Sequence, residues 1–237
     1  MKIWAISCIL ALTFMNSRSC IASDATTQTS EIVQLNNDAK YKDALADLLK
    51  NPPAATATSQ DQFRYIRKLT TAELNMREYS KAVSYARQLV KLSPNFYATH
   101  DILSVCLGKA GQYEEAIAEA KEAISLDTPP AMHPNLVLAS WEFLTGKKED
   151  ALKRVDSVAV PTNDLGKRNY YGTLSCFYAS AGDEDKIQDL IKKASAVDTM
   201  GTYIDFLSRD IVFDPYRGKD WFIKIVGKTL ALPKSDK

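Results

Sequence analysis

Apolar positions along this chain recur at the spacing of amphipathic helices, and they do so in pairs. Leu103 and Leu107, then Ala116, Ala120 and Ala123, fall on one stripe of two successive helical segments. Gly111 lies at the break between them, where a positive φ can end the first helix. The segment Glu78-Tyr79-Ser80-Lys81-Ala82-Val83 aligns with Gln112-Tyr113-Glu114-Glu115-Ala116-Ile117 at an offset of 34 residues, and both continue alike. Weaker copies begin near Tyr41, Lys148 and Glu184. The aligned anchors Ala44, Ala82, Ala116, Ala151 and Ile187 are spaced 38, 34, 35 and 36 apart. Pro94 and Pro129-Pro130 stop the second helices of their pairs. One such hairpin buries too little apolar surface alone, so neighbouring hairpins must stack into a continuous core.

A period near 34 with paired helices resembles the tetratricopeptide repeat. Residues 97–130 carry Leu103, Leu107, Gly111, Tyr113, Ala116, Ala120, Ala123 and Leu126 at signature positions. His100 stands where the family favours Trp, and Ser104 where it favours Gly. Residues 63–96 carry Leu69, Tyr79, Ala82, Leu89, Leu92 and the closing Pro94. The fifth copy carries Tyr171, Leu174, Tyr178, Gly182 and Ala194. The resemblance implies an all-α, right-handed superhelical solenoid of helix-turn-helix repeats, about five of them over residues 23–200. Residues 201–237 then resemble the closing segment of bacterial members, in which a helix caps the open end; Asp214-Pro215, Arg217 and Trp221 carry that likeness. In the fourth copy either Trp141 or Glu142 takes the usual aromatic position. A lone buried Glu is costly, which favours Trp141 inward with an extra residue in the turn.

Lys2 is followed by a charge-free apolar run, Ile3 to Met15, and then by a polar stretch and Cys20-Ile21-Ala22. This is the pattern of a secretory leader cleaved after Ala22. The run has 13 residues, and a spanning helix needs roughly 20. The expectation is an exported protein of bacterial type, periplasmic in a Gram-negative host, the alternatives being secretion or a lipid anchor on Cys20. Thr26 to Ser30 reads as a polar lead into the first repeat. The whole chain has 30 basic and 29 acidic residues, net +1. That balance gives no electrostatic footprint for nucleic acid or an anionic membrane. Cleavage leaves Cys106 and Cys176, two repeats apart. Stacked repeats touch only their neighbours, so these two read as buried free thiols with no disulfide.

Catalytic patterns are not found. Apart from Asp101 beside His100, neither His100 nor His133 has a further ligand at metal-binding spacing on its own helix face. Glu114-Glu115 and Asp183-Glu184-Asp185 open second helices, where acids complement the helix dipole. No Gly-rich phosphate loop, nucleophile elbow or H-E-x-x-H occurs. The expectation is a protein that is not an enzyme and uses no cofactor or metal.

The resemblance further implies a concave groove lined by first helices, which in the family holds partner segments. Carried over residue by residue, the groove positions are Arg64, Arg67, Thr71 and Asn75; Asp101, Val105 and Lys109; Leu136, Ser140 and Phe143; and Asn169 and Cys176, with Gly172 and Ala179 beside them. Some members grip a terminal carboxylate with Lys and Asn on successive repeats. Arg67 resembles one arm, but Thr71 and Ile102 stand where Asn is needed, so that clamp is absent. Two functions fit: an exported adaptor or scaffold binding a protein or peptide in its groove, or a structural, self-associating subunit of an envelope complex with no groove ligand.

Overall fold

The structure is a computed structural model that describes residues 38–54, 56–127, 132–198, 203, 206–207 and 210–226. The segment 1–22 expected to be a leader, Cys20 within it, the stretch 26–30, Pro129-Pro130 and the last residues of the chain lie outside the described residues. Every described element is helical, and the protein is all-α. The helices fall into two compact bodies that meet in sequence at Val158 and Ala159.

The first body holds α1 (Asp38–Lys50), α2 (Ser59–Asn75), α3 (Tyr79–Leu92), α4 (Tyr97–Lys109), α5 (Tyr113–Leu126), α6 (Met132–Leu144) and α7 (Lys148–Ser157). They pack as hairpins α2–α3, α4–α5 and α6–α7, each against the next, with α1 on α2. The turns explain the repeat. Gln112 N–H donates to the Leu107 carbonyl (2.9 Å), Glu78 N–H to Glu73 (2.9 Å) and Lys147 N–H to Glu142 (2.8 Å). The residue before each donor has positive φ: Gly111 (79°), Arg77 (62°) and Gly146 (93°). This is one left-handed helix ending used three times; two are Gly, while Arg77 adopts a conformation that costs an L-residue about 1–2 kcal/mol.

Small residues set the distance between paired helices. Ala82, Ala86, Ala116, Ala120, Ala123 and Ala151 are fully buried along the second helices. A methyl group at these places fills the interface without separating the backbones. Leu89, Ile102, Leu107, Leu136 and Leu138 fill the remaining volume. At the amino-terminal end, Leu45 packs with Leu69 and Ala72, and the Tyr65 hydroxyl donates to the Leu48 carbonyl (3.1 Å).

The fourth copy differs from the sequence expectation in one respect. Trp141 is fully buried, its ring 6.0 Å from that of Tyr113. The α6–α7 turn, however, contains no extra residue: it repeats the α4–α5 turn bond for bond. Glu142 therefore occupies the place of Leu107 and is buried as well. Its cost is offset by Arg154, whose Nε and a terminal nitrogen donate to the two carboxylate oxygens, both at 2.9 Å. A bidentate guanidinium makes tolerable a burial that a lone Glu would not survive.

The second body holds α8 (Asp164–Ala181), α9 (Glu184–Val197), a 3₁₀ segment (Ile211–Tyr216) and α10 (Asp220–Val226). Asn163 caps α8 by accepting from Gly166 N–H (2.7 Å). The α8–α9 turn has the same ending, with Gly182 at φ 79° and Asp183 N–H bonded to the Tyr178 carbonyl (3.1 Å). The segment from Asp210 lies against this hairpin. Phe213 and Val212 are buried, the Tyr216 hydroxyl donates to the Ala179 carbonyl (2.9 Å), and Trp221 Nε1 donates to Glu184 (3.1 Å). The Arg217 guanidinium closes the turn on Asp214 (2.7 Å) and on the Asp210 carbonyl (3.0 Å).

The two cysteines of the repeats behave differently. Cys106 is free and buried, and burial pushes its thiol up to about 12. The expectation of no disulfide is corrected at Cys176, which is disulfide-bonded. Its partner lies outside the described residues. The expectation took Cys8 and Cys20 to leave with the cleaved leader, so it weighed Cys176 against Cys106 alone.

Candidate protein-interaction surface

The groove positions of the first body lie on α2, α4 and α6, and they differ in access. On α2, Arg64, Arg67 and Thr71 are half-buried and Asn75 is exposed. One turn of helix brings Arg64 and Arg67 together. Burial, and then the neighbouring Arg64 charge, hold the Arg67 guanidinium below its ordinary range. Arg64 reaches Asp61 at 3.9 Å, and its Nε–H is buried without a partner. Thr71 turns its hydroxyl back to the Arg67 carbonyl (3.1 Å).

On α4 the face changes character. Residues 98–108 are buried all round, so Asp101 and Val105 are closed to solvent and Lys109 is half-buried. On α6, Leu136 and Ser140 are fully buried, the Ser140 hydroxyl donating to the Leu136 carbonyl (3.0 Å). Phe143 is half-buried beneath the Lys148 ammonium, 5.4 Å from the ring centroid. In the second body, Asn169 and Cys176 are buried on α8, as are Gly172 and Ala179. The solvent-accessible groove positions thus cluster on α2, with Lys109 and Phe143 at helix ends.

The structure adds polar contacts that the sequence reading did not assign. Asp101 of α4 meets His133 of α6 at 2.7 Å, a bond between consecutive repeats. His100 of α4 meets Glu119 of α5 at 2.7 Å. Inspecting each helix alone misses both, because the partners lie 32 and 19 residues away. The signal was the repeat itself: Asp101 and His133 are separated by nearly one period. Glu73, at the place of Leu107 and Glu142 in the α2–α3 hairpin, is buried. Burial raises its carboxyl above the ordinary range, against the opposing pull of Lys81. Among the described residues no group of three His, Cys, Asp or Glu is placed to hold a metal ion. Among them, too, no helix is long and apolar enough to cross a membrane.

Residues 99–129, spanning most of α4 and all of α5, match the tetratricopeptide repeat family. The chain carries a tetratricopeptide repeat. The match falls on the hairpin whose turn, alanine stripe and leucine positions are reproduced in α2–α3 and α6–α7. A search of curated proteins finds no match to this repeat protein. The matched repeat supports a role in protein–protein interaction.

Proposed function

We propose that this repeat protein is a non-catalytic adaptor that binds an extended, acidic segment of a protein partner along α2. The observation carrying the proposal is the Arg64–Arg67 pair. Two guanidinium groups one helical turn apart repel each other, and partial burial strengthens that repulsion. Arg64 also holds a buried Nε–H without a partner. A carboxylate laid across the pair relieves that repulsion through charge-assisted hydrogen bonds. Charge-assisted bonds of this kind contribute about 1.5–3 kcal/mol each. Thr71 and Asn75 continue the same face toward the end of the helix and supply polar contacts to a partner backbone. Export through the leader at 1–22, to the periplasm of a Gram-negative host, belongs to the same reading and rests on the apolar run Ile3 to Met15.

Site-specific photo-crosslinking in the native host tests the reading. A crosslinker at Asn75 on the exposed end of this face is compared with one at Glu122, exposed on α5. The expected result is a discrete heterologous adduct from Asn75 that disappears when Arg64 and Arg67 are both changed to Gln. Adducts from Glu122 alone, or only self-adducts from Asn75, refute binding along α2.

A further inference from the structure

Three aromatic rings form a row beside the α2 cations. Phe63, in the second turn of α2, has its ring centroid 6.3 Å from that of Phe96. Phe96 in turn meets Tyr97 edge to face, with centroids 5.5 Å apart. All three side chains are half-buried, so each still meets water. The row runs from α2 to the start of α4, across two consecutive repeats.

Helix formation does not ask for these rings. Phe96 stands at the N-cap of α4, where Ser, Thr, Asp or Asn is preferred. It supplies no side-chain cap. The loop before α4 is secured instead by the Thr99 hydroxyl, 3.0 Å from the Ser93 carbonyl and 2.7 Å from that of Phe96. In the register set by Leu107 and Glu142, Ala131 and Met132 take the places of Phe96 and Tyr97. Stacking of hairpins therefore does not require aromatic residues there. A local preference broken without a gain to the fold points to function.

Charge distinguishes the two ends of the row. Arg64 is the neighbour of Phe63 in sequence, and Arg67 follows one turn later on α2. At the other end Tyr97 faces Asp127 and Asp101. Burial first, and then these two charges, hold its hydroxyl above the ordinary range. Carboxylates of a ligand are drawn to the Phe63 end and repelled from the Tyr97 end.

We propose, on the acidic reading of the α2 face, that Phe63, Phe96 and Tyr97 form an apolar shelf for the same partner segment, which carries an aromatic side chain two residues from a carboxylate. The spacing follows from the helix. Phe63 and Arg67 are four residues apart, a rise of about 6 Å. Two residues of extended chain rise about 6.6 Å, and side chains at i and i+2 point to the same face. A carboxylate on the Arg64–Arg67 pair then sets a side chain two residues along over Phe63. Aromatic rings suit that place, because they pack on other rings in offset or edge-to-face geometry.

The test is fluorescence anisotropy of labelled octapeptides on the purified full chain. Each peptide surrounds one core with Gly and Ser: Glu-Gly-Phe, its reverse Phe-Gly-Glu, Glu-Phe-Gly or Glu-Gly-Ser, with Gln-Gly-Phe and Phe-Gly-Gln as charge controls. In one of the two directions the spaced Phe core should bind about threefold to tenfold more tightly than Glu-Gly-Ser. Glu-Phe-Gly, which sets the two side chains on opposite faces, should lack that gain. Phe63→Leu combined with Phe96→Leu should remove the gain and keep the dependence on Glu. On the wild-type chain the Phe96 ring-proton NMR signals should shift with the spaced Phe peptide and stay in place with Glu-Gly-Ser, a reading that needs no variant to fold. Binding that depends on Glu but gains nothing from Phe, or gains equally from Glu-Phe-Gly, overturns the shelf and leaves the acidic reading standing. Absence of any binding that requires Glu overturns both.

Discussion

Gly108→Ala sets two effects of opposite sign against each other. Gly108 lies inside α4, where Ala is the better helix former by about 0.8–1 kcal/mol. Propensity alone therefore predicts a stabilised protein. A Cβ at Gly108, however, falls 2.2 Å from two carbons of the Trp141 indole and 2.5 Å from a third. Ordinary carbon contacts lie near 3.5–4.0 Å, so the ring must move by more than an ångström. It is poorly placed to move. Trp141 is fully buried, and its Nε1 donates to the Ser104 hydroxyl (3.0 Å), which in turn donates to the Ala116 carbonyl (2.7 Å). Overpacking of this kind costs about 1–3 kcal/mol, and breaking the Trp141–Ser104 bond adds about 1 kcal/mol. With the propensity gain subtracted, the variant should be about 1–3 kcal/mol less stable than wild type. Urea unfolding followed by tryptophan fluorescence and circular dichroism reads this directly. Trp141→Leu should cost stability by itself, and the double variant should recover most of the Gly108→Ala loss, a coupling that a double-mutant cycle measures. If Gly108→Ala is as stable as wild type or more so, the close approach of α4 and α6 at this point is wrong.

Other expectations follow from single contacts. Arg154→Met leaves Glu142 buried without its bidentate partner and should lower stability by about 3 kcal/mol, which urea midpoints check. Arg77→Gly removes a left-handed L-residue from the α2–α3 turn and should raise stability by about 0.5–1 kcal/mol in the same assay. Tyr203 is buried with its hydroxyl 2.9 Å from that of Ser175, and burial holds the phenol well above its ordinary range. The folded state therefore keeps this group neutral while the unfolded chain ionises it, so stability should fall above about pH 10, and Tyr203→Phe should flatten that fall in alkaline melts.

The repeat was legible because its causes are local. A glycine at each helix ending, alanines along the second helices and apolar residues one turn apart are each dictated by the backbone they serve. Arg77 shows the limit of that logic: it occupies a glycine position, and the alignment of the flanking Tyr79 and Ala82 gave the turn, not the residue itself. The register around Trp141 was half legible. Its burial followed from size and polarity, but the burial of Glu142 beside it depends on Arg154, twelve positions on and across a turn. The polar contacts of His100 and His133 were hidden for the same reason, since a survey of one helix at a time does not see partners on the next. Access to the groove positions was the least legible. Asp101, Val105, Leu136 and Ser140 share a helix face by spacing, yet spacing carries no information on what else closes over that face.

The buried alanines give this fold an unusual mutational asymmetry. Leucine-rich cores fail mainly by losing atoms, and each truncation leaves a cavity. At Ala82, Ala86, Ala116, Ala120, Ala123 and Ala151 almost nothing remains to be removed. Nearly every single substitution there adds volume, and added volume wedges two helices apart along their length. Damage at these sites should therefore scale with the bulk of the incoming side chain and be nearly indifferent to its hydrophobicity. Valine should be worse than serine, the reverse of the ranking an ordinary core would give.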